Sequence, residues 1–282
     1  FALTQESTAE ETPKMDWAGV VTLGIAFLAI YLAIDEVGAL AAANWGLVAI
    51  LVVIAVVFFV IFWNIESRKK DPMVTTHYLK QRRTWGLLLT TLLTMTGVFA
   101  IMNGVVPAIA QDPVMGVDMK PDMVSFATLT PYALLGLCFG PVAGVLASKF
   151  GYRSVLRAGL IVSIAGVLFG IFLSNNASIP SLVIISVVLG IAYAGTANIM
   201  LNGLGIVLSP EDNPGYLPGM NAGAFNLGAG LSFAVLYAVM DAFAMNGAQV
   251  GYSAAMIAAA VLLGAALLVS LFIPKPSDAD NS

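Results

Sequence analysis

Eight long apolar runs organise this 282-residue chain, at about 17–34, 45–65, 85–110, 123–147, 154–174, 180–208, 218–243 and 251–273. A helix rising about 1.5 Å per residue needs roughly 20 apolar residues to cross a hydrocarbon core of about 30 Å. The runs are of that length, and they are continuous. A membrane β-barrel would instead show segments of about 10 residues alternating in polarity. The expected fold is all-α: a polytopic transmembrane helical bundle of about eight helices. Composition agrees, with 59% hydrophobic and only 10% charged residues, where soluble domains carry about a quarter charged.

Charge is sorted between the connectors. The gap 66–84 holds Arg68, Lys69, Lys70, Lys80, Arg82 and Arg83, and the gap 148–157 holds Lys149, Arg153 and Arg157. Lys14 precedes the first run and Lys275 follows the last. Threading eight spans places all of these on one side. The other side carries Lys120 with Asp35, Glu36, Asp112, Asp118, Asp122 and Asp241. The positive-inside rule then predicts a multi-pass protein of the plasma (inner) membrane with both termini of this chain cytoplasmic. The opening "FALTQESTAEETPKMDW" lacks an initiator Met and a signal-peptide pattern. It reads as a short acidic linker, and the chain is expected to be a fragment of a longer protein.

The runs differ in character. Runs 1, 2, 5 and 8 are apolar nearly all round and suit lipid-facing helices. Run 3 carries Thr91, Thr94, Thr96 and Asn103; run 4 carries Ser125, Thr128, Thr130 and Tyr132. Run 6 carries Tyr193, Thr196, Asn198 and Asn202; run 7 carries Asn221, Asn226, Ser232 and Tyr237. Polar groups in hydrocarbon are costly unless paired or hydrated, so these four helices are expected to be inner. Pro107, Pro131, Pro141 and Pro218 each remove a backbone donor and are expected to bend helices.

Enzyme signatures are missing: there is no Ser/His/Asp set, no HExxH, no P-loop and no metal-ligand spacing. Neither an enzyme activity nor a cofactor nor a metal is expected. His77 reads as a solvated connector residue, and Cys138, inside an apolar run, as a small buried hydrophobe. What remains is a neutral polar set, Asn103, Tyr132, Tyr193, Asn198, Asn202, Asn221 and Asn226. Each could simply bridge two helices. Together, on four helices, they suggest a hydrated substrate cavity suited to a neutral or amphipathic solute.

The stretch "GPVAGVLASKFGYRSVL" joins runs 4 and 5. Gly144 is expected to let helix 4 approach a partner, Ser148 to cap the loop, and Gly151 to take a positive φ. Lys149 and Arg153 can reach headgroups, a carboxylate or a helix C-terminus.

The order Gly144, Leu146, Ala147, Ser148, Lys149, Gly151, Arg153 resembles the G-x-L-A-D-R-x-G-R-R gating loop of the major facilitator superfamily. Ser148 stands for the family's Asp and Lys149 for its Arg, as in the degenerate second-half copy. "KKDPMVTTHYLKQRRTW" is similar to the basic connector before the seventh core helix of the fourteen-helix drug:proton antiporter branch. "MNGVVPAIAQ" and "PGMNAGAFNLGAGLSFAVL" also look like stretches of that family's core helices. The resemblance implies the second half of a major facilitator fold. Residues 1–15 would be a cytoplasmic linker, 16–65 two peripheral insert helices, 66–84 a basic connector, 85–273 a six-helix transporter half and 274–282 a tail. It also implies alternating-access transport of small molecules, as proton-coupled efflux of drug-like compounds. Partners would be a small-molecule substrate, a proton whose coupling residues lie in the absent first half, and the lipid bilayer, with no nucleic acid. An eight-helix accessory or scaffold subunit of another membrane complex is the alternative.

Overall fold

A computed structural model describes residues 16–38, 42–69 and 76–276. Among these there are eight helices long and apolar enough to span a bilayer: α1 (Trp17–Gly38), α2 (Trp45–Glu66), α3 (Arg82–Gln111), α4 (Pro121–Phe150), α5 (Tyr152–Asn175), α6 (Ile179–Val207), α7 (Tyr216–Ala244) and α8 (Ala248–Ser270). A single turn, Thr76–Leu79, precedes α3, and His77 on it is exposed. The Lys14 and Lys70 positions lie outside the described residues.

Local chemistry sets the helix ends. Asn44 caps α2 by accepting the Leu47 N–H at 3.1 Å. Ser178 and Ser181 form a reciprocal capping box at the start of α6. Pro121 and Pro180 occupy first-turn positions, where the missing N–H costs nothing. Gly151 is the whole connection between α4 and α5. It takes φ +82°, a conformation open to glycine, while its N–H bonds the Ala147 carbonyl at 2.8 Å.

α3 is the central helix. It packs on α7 and α8 and touches α6, and Leu87, Val98, Ile101, Met102, Val105 and Ile109 on it are fully enclosed. α8 also packs on α5 and α7, and α5 on α6. α4 lies against α6 along one face. Small residues bring these helices together. At Gly228 an added Cβ would stand 2.6 Å from Met95 Cβ and 2.8 Å from the Leu92 carbonyl, so α7 sits almost backbone-to-backbone on α3. α1 and α2 form a hairpin that packs on itself, with α1 seated on α7.

Burial follows the expected inner and outer sets only in part. α3 and α6 are the most buried helices, but α5 and α8 are more buried than α4 and α7. On α4, Leu134, Leu137, Val142 and Val145 are exposed. Cys138 lies on the same side and is exposed, which corrects the expectation of a buried thiol. α4 has one neighbour face within this chain, and the rest of its surface is uncovered.

Candidate functional site

Two inner helices leave the α form next to their polar residues. In α3 the segment Ile101–Val105 is π-helical, and the Val106 N–H bonds the Ile101 carbonyl five residues back. Pro107 is the cause: it has no N–H for the Asn103 carbonyl and its ring would clash there. The wider turn relieves that clash and carries Asn103 to the exposed side of α3. In α6 the segment Gly190–Ala197 is π-helical, and the Asn198 N–H bonds the Tyr193 carbonyl. No proline explains this one. Gly190 and Gly195 let α4 in close, with an added Cβ 2.6 Å from the Tyr132 carbonyl and 3.0 Å from the Gly136 carbonyl. The Thr196 hydroxyl bonds the Ile191 carbonyl at 2.8 Å, satisfying an acceptor that the wide turn exposes. Such π turns concentrate at functional sites. The sequence signal for the first was Pro107; for the second, the glycines gave only a packing hint.

The seven residues expected to line a cavity separate into two groups. Asn221 is buried on α7. Its Oδ1 accepts from the Thr91 hydroxyl at 2.6 Å, and its Nδ2 reaches the Leu201 carbonyl at 3.4 Å, so it joins α3, α6 and α7. Tyr193 is also buried, its hydroxyl on Met95 Sδ of α3. Tyr132 is half-buried, and its backbone packs on Gly190. These three hold helices together.

The others face outward from the bundle. Asn103, Asn202 and Asn226 are exposed and Asn198 is partly so. Each exposed asparagine donates its amide to the carbonyl four residues back: Phe99 at 2.9 Å, Asn198 at 3.0 Å and Ala222 at 2.9 Å. Asn202 also reaches Asn198 Oδ1 at 2.8 Å. Self-pairing makes these amides tolerable in an apolar span while leaving the side-chain oxygens of Asn103, Asn202 and Asn226 open as acceptors. On α7 Ser232 is drawn inward, accepting the Ala100 N–H at 2.8 Å just before the π turn.

The loop between α4 and α5 departs from its expected contacts. Ser148 does not cap it; the hydroxyl turns back to the Val145 carbonyl at 2.8 Å, the usual choice for a helical serine with no nearby partner. Gly144 has nothing within 4 Å of an added Cβ, so it is not a close-approach point within this chain; Gly136 is, with Ala194 Cβ 2.7 Å away. Lys149 is exposed. Arg153 reaches a helix C-terminus. Its Nη1 donates to the Ile273 carbonyl at 2.8 Å. Arg157 Nη2 reaches the Ser270 carbonyl at 3.0 Å, and Arg82 Nε the Phe272 carbonyl at 2.8 Å. Three guanidinium groups from α3 and α5 thus converge on the end of α8, where unsatisfied carbonyls carry partial negative charge.

Outside the spans, three carboxylates tie elements together. Asp16 accepts the Gly19 N–H at 2.8 Å and pairs with Lys69, joining the start of α1 to the end of α2. These contacts, the backbone bond first, hold its pKa down at about 2. Asp112 accepts the N–H groups of Val114 and Met115 and the Tyr252 hydroxyl, and the backbone bonds lower its pKa. The Tyr78 hydroxyl donates to Asp212, which, with desolvation, raises its pKa.

Comparison with known proteins places this geometry in a family. The chain is 54% identical over 281 residues to a uridine/deoxyuridine transporter of Lactococcus lactis subsp. cremoris, covering 98% of this chain and 58% of that protein. It is 24% identical over 175 residues to multidrug resistance protein 3 of Bacillus subtilis, covering 61% of this chain and 32% of that protein. The chain therefore spans well under two thirds of the length of these relatives. The model of the Major Facilitator Superfamily matches residues 17–232 and 113–282. With eight apolar helices among its described residues and this match over nearly its whole length, the chain belongs to the Major Facilitator Superfamily of membrane transporters.

Proposed function

We propose that this chain is the second half, with two preceding insert helices, of a transporter for pyrimidine nucleosides. The carrying observation is the set of outward asparagines, Asn103, Asn202 and Asn226, on three helices whose other exposed positions away from the helix ends are apolar. A nucleoside is neutral and offers ring N–H and ribose hydroxyl donors, and these suit open amide oxygens. The asparagine amides are neutral, and a neutral lining fits such a solute better than an ion. The identity to a relative named for uridine and deoxyuridine supports the substrate class.

In this reading the uncovered faces of α4 and α7 meet the first half, which lies outside this chain. The substrate sits between the halves near the midplane, and transport proceeds by alternating access. Gly144, Ser148, Lys149, Gly151 and Arg153 form the loop on the cytoplasmic side, both ends of the chain are cytoplasmic, and a coupling proton is carried by an acid in the first half. Drug efflux is the second reading, favoured by the weaker similarity to a multidrug resistance protein.

The test is uptake of radiolabelled uridine by proteoliposomes holding the full-length protein. Each lost hydrogen bond costs about 1 kcal/mol, so Asn202→Ala and Asn226→Ala are expected to raise the half-saturation concentration roughly fivefold each. No uridine uptake, or an unchanged half-saturation in both variants, overturns the proposal; efflux of a cationic dye in its place supports the second reading.

A further inference from the structure

We propose that the end of α3 bearing Arg82 and Trp85 holds one anionic phospholipid. Its headgroup phosphate would lie on the arginine cluster and one acyl chain in the groove between α1, α3 and α7. Arg82, Arg153 and Arg157 all donate to carbonyls within residues 270–273. With consecutive Cα atoms 3.8 Å apart, these acceptors lie within about 11 Å of one another. Among the described residues, no ion pair joins any of the three to a carboxylate. The end of α8 offers only about half an elementary negative charge, so three full positive charges remain under-compensated at the edge of a membrane span. A guanidinium has five donors, and each of these uses one in the bonds described. Arg157 Nε is buried and unpartnered. A phosphodiester supplies the missing charge and acceptors together.

The apolar half of the site begins where the charged half ends. Trp85 stands one turn beyond Arg82 on the same side of α3 and packs on the Phe272 ring at 5.7 Å, the ring that the Arg82 guanidinium also overlies at 5.7 Å. Trp85 is also the first α3 residue lining a groove of about 790 Å³. That groove continues past Leu89 and Leu92 and is walled by Phe27 of α1 and Gly223 of α7. An added Cβ at Gly223 would meet nothing within 4 Å, so the wall is recessed. The groove runs mostly between membrane spans, and Trp85 joins it, through Phe272, to the cationic surface at one end; that pairing selects a lipid with an anionic headgroup as its occupant.

The test is native mass spectrometry of the full-length protein, delipidated and then offered phosphatidylglycerol or phosphatidylcholine. Wild type is expected to retain phosphatidylglycerol about tenfold better. The Arg153→Gln/Arg157→Gln double variant is expected to lose that preference. Because these arginines also brace α8, Gly223→Leu provides the second arm: its side chain enters empty groove, and retention is expected to fall about fivefold with the fold intact by circular dichroism. Equal retention of the two lipids by wild type, or undiminished retention of phosphatidylglycerol by Gly223→Leu, overturns the proposal. Displacement of the lipid by soluble glycerol phosphate at equal affinity assigns the arginines to a free anion and overturns it as well.

Discussion

The Thr91 hydroxyl donates to the Asn221 side-chain oxygen at 2.6 Å, with both side chains sealed between α3 and α7. Breaking the pair from one side leaves the other group unpaired in an apolar interior. Asn221→Val is expected to destabilise the full-length protein by about 1–2 kcal/mol, and Thr91→Val by less, since Asn221 keeps its contact with the Leu201 carbonyl. Thermal unfolding in detergent, with the double variant closing a mutant cycle, reads the coupling. Additive effects would show that the bond contributes nothing.

Gly151 and Gly144 are expected to respond oppositely to substitution, though they lie seven residues apart. At φ +82° and ψ 147° Gly151 occupies a region essentially reserved for glycine. Gly151→Ala is expected to cost about 1–3 kcal/mol in stability. Gly144→Leu meets open space within this chain, so its stability is expected to change little. If its face abuts the first half, transport falls while the melting temperature holds, and a joint measurement of melting temperature and uridine uptake separates the two.

Asp16 predicts an acid limit for the junction of α1 and α2. Its pKa is depressed in the folded state, to about 2 from 3.8. Its contribution is therefore fully present above the unfolded value and is lost as pH falls through the folded one. Hydrogen exchange of the amides at the start of α1, corrected for intrinsic rates, is expected to quicken between about pH 4 and pH 2. In Asp16→Asn it is expected to be faster at pH 5 and to show no such step. A step of the same size in the variant would assign the transition to another group.

Pro107 is expected to maintain the π turn that turns Asn103 outward. Pro107→Ala restores a donor for the Asn103 carbonyl and removes the clash, worth about 3 kcal/mol in a helix interior. The helix is then free to relax toward α geometry. The expected result is a protein at least as stable as wild type with weakened uridine uptake. Unchanged uptake would separate the π turn from substrate handling.

The bundle was legible because hydrocarbon imposes a length and a polarity on every span, and apolar runs reveal both. The positive φ at Gly151 was legible for a similar reason, since a one-residue reversal admits little else. The roles of the asparagines were not. Asn221 and Asn226 stand five residues apart on one helix, yet one is buried against Thr91 and the other is exposed. Which face of a helix is covered depends on its neighbours, and composition does not name them. Arg153 shows the same limit. Its charge was plain from the sequence, but its acceptor lies 120 residues away at the end of another helix.

The one-residue link between α4 and α5 has a mechanical consequence. With only Gly151 between them, the two helices share a joint without slack. A tilt of α4 carries the start of α5 with it, and Arg153 hauls on the end of α8 through the Ile273 carbonyl. Motion entering on the uncovered face of α4 is therefore expected to reach the end of α8, through a one-residue joint and a single guanidinium.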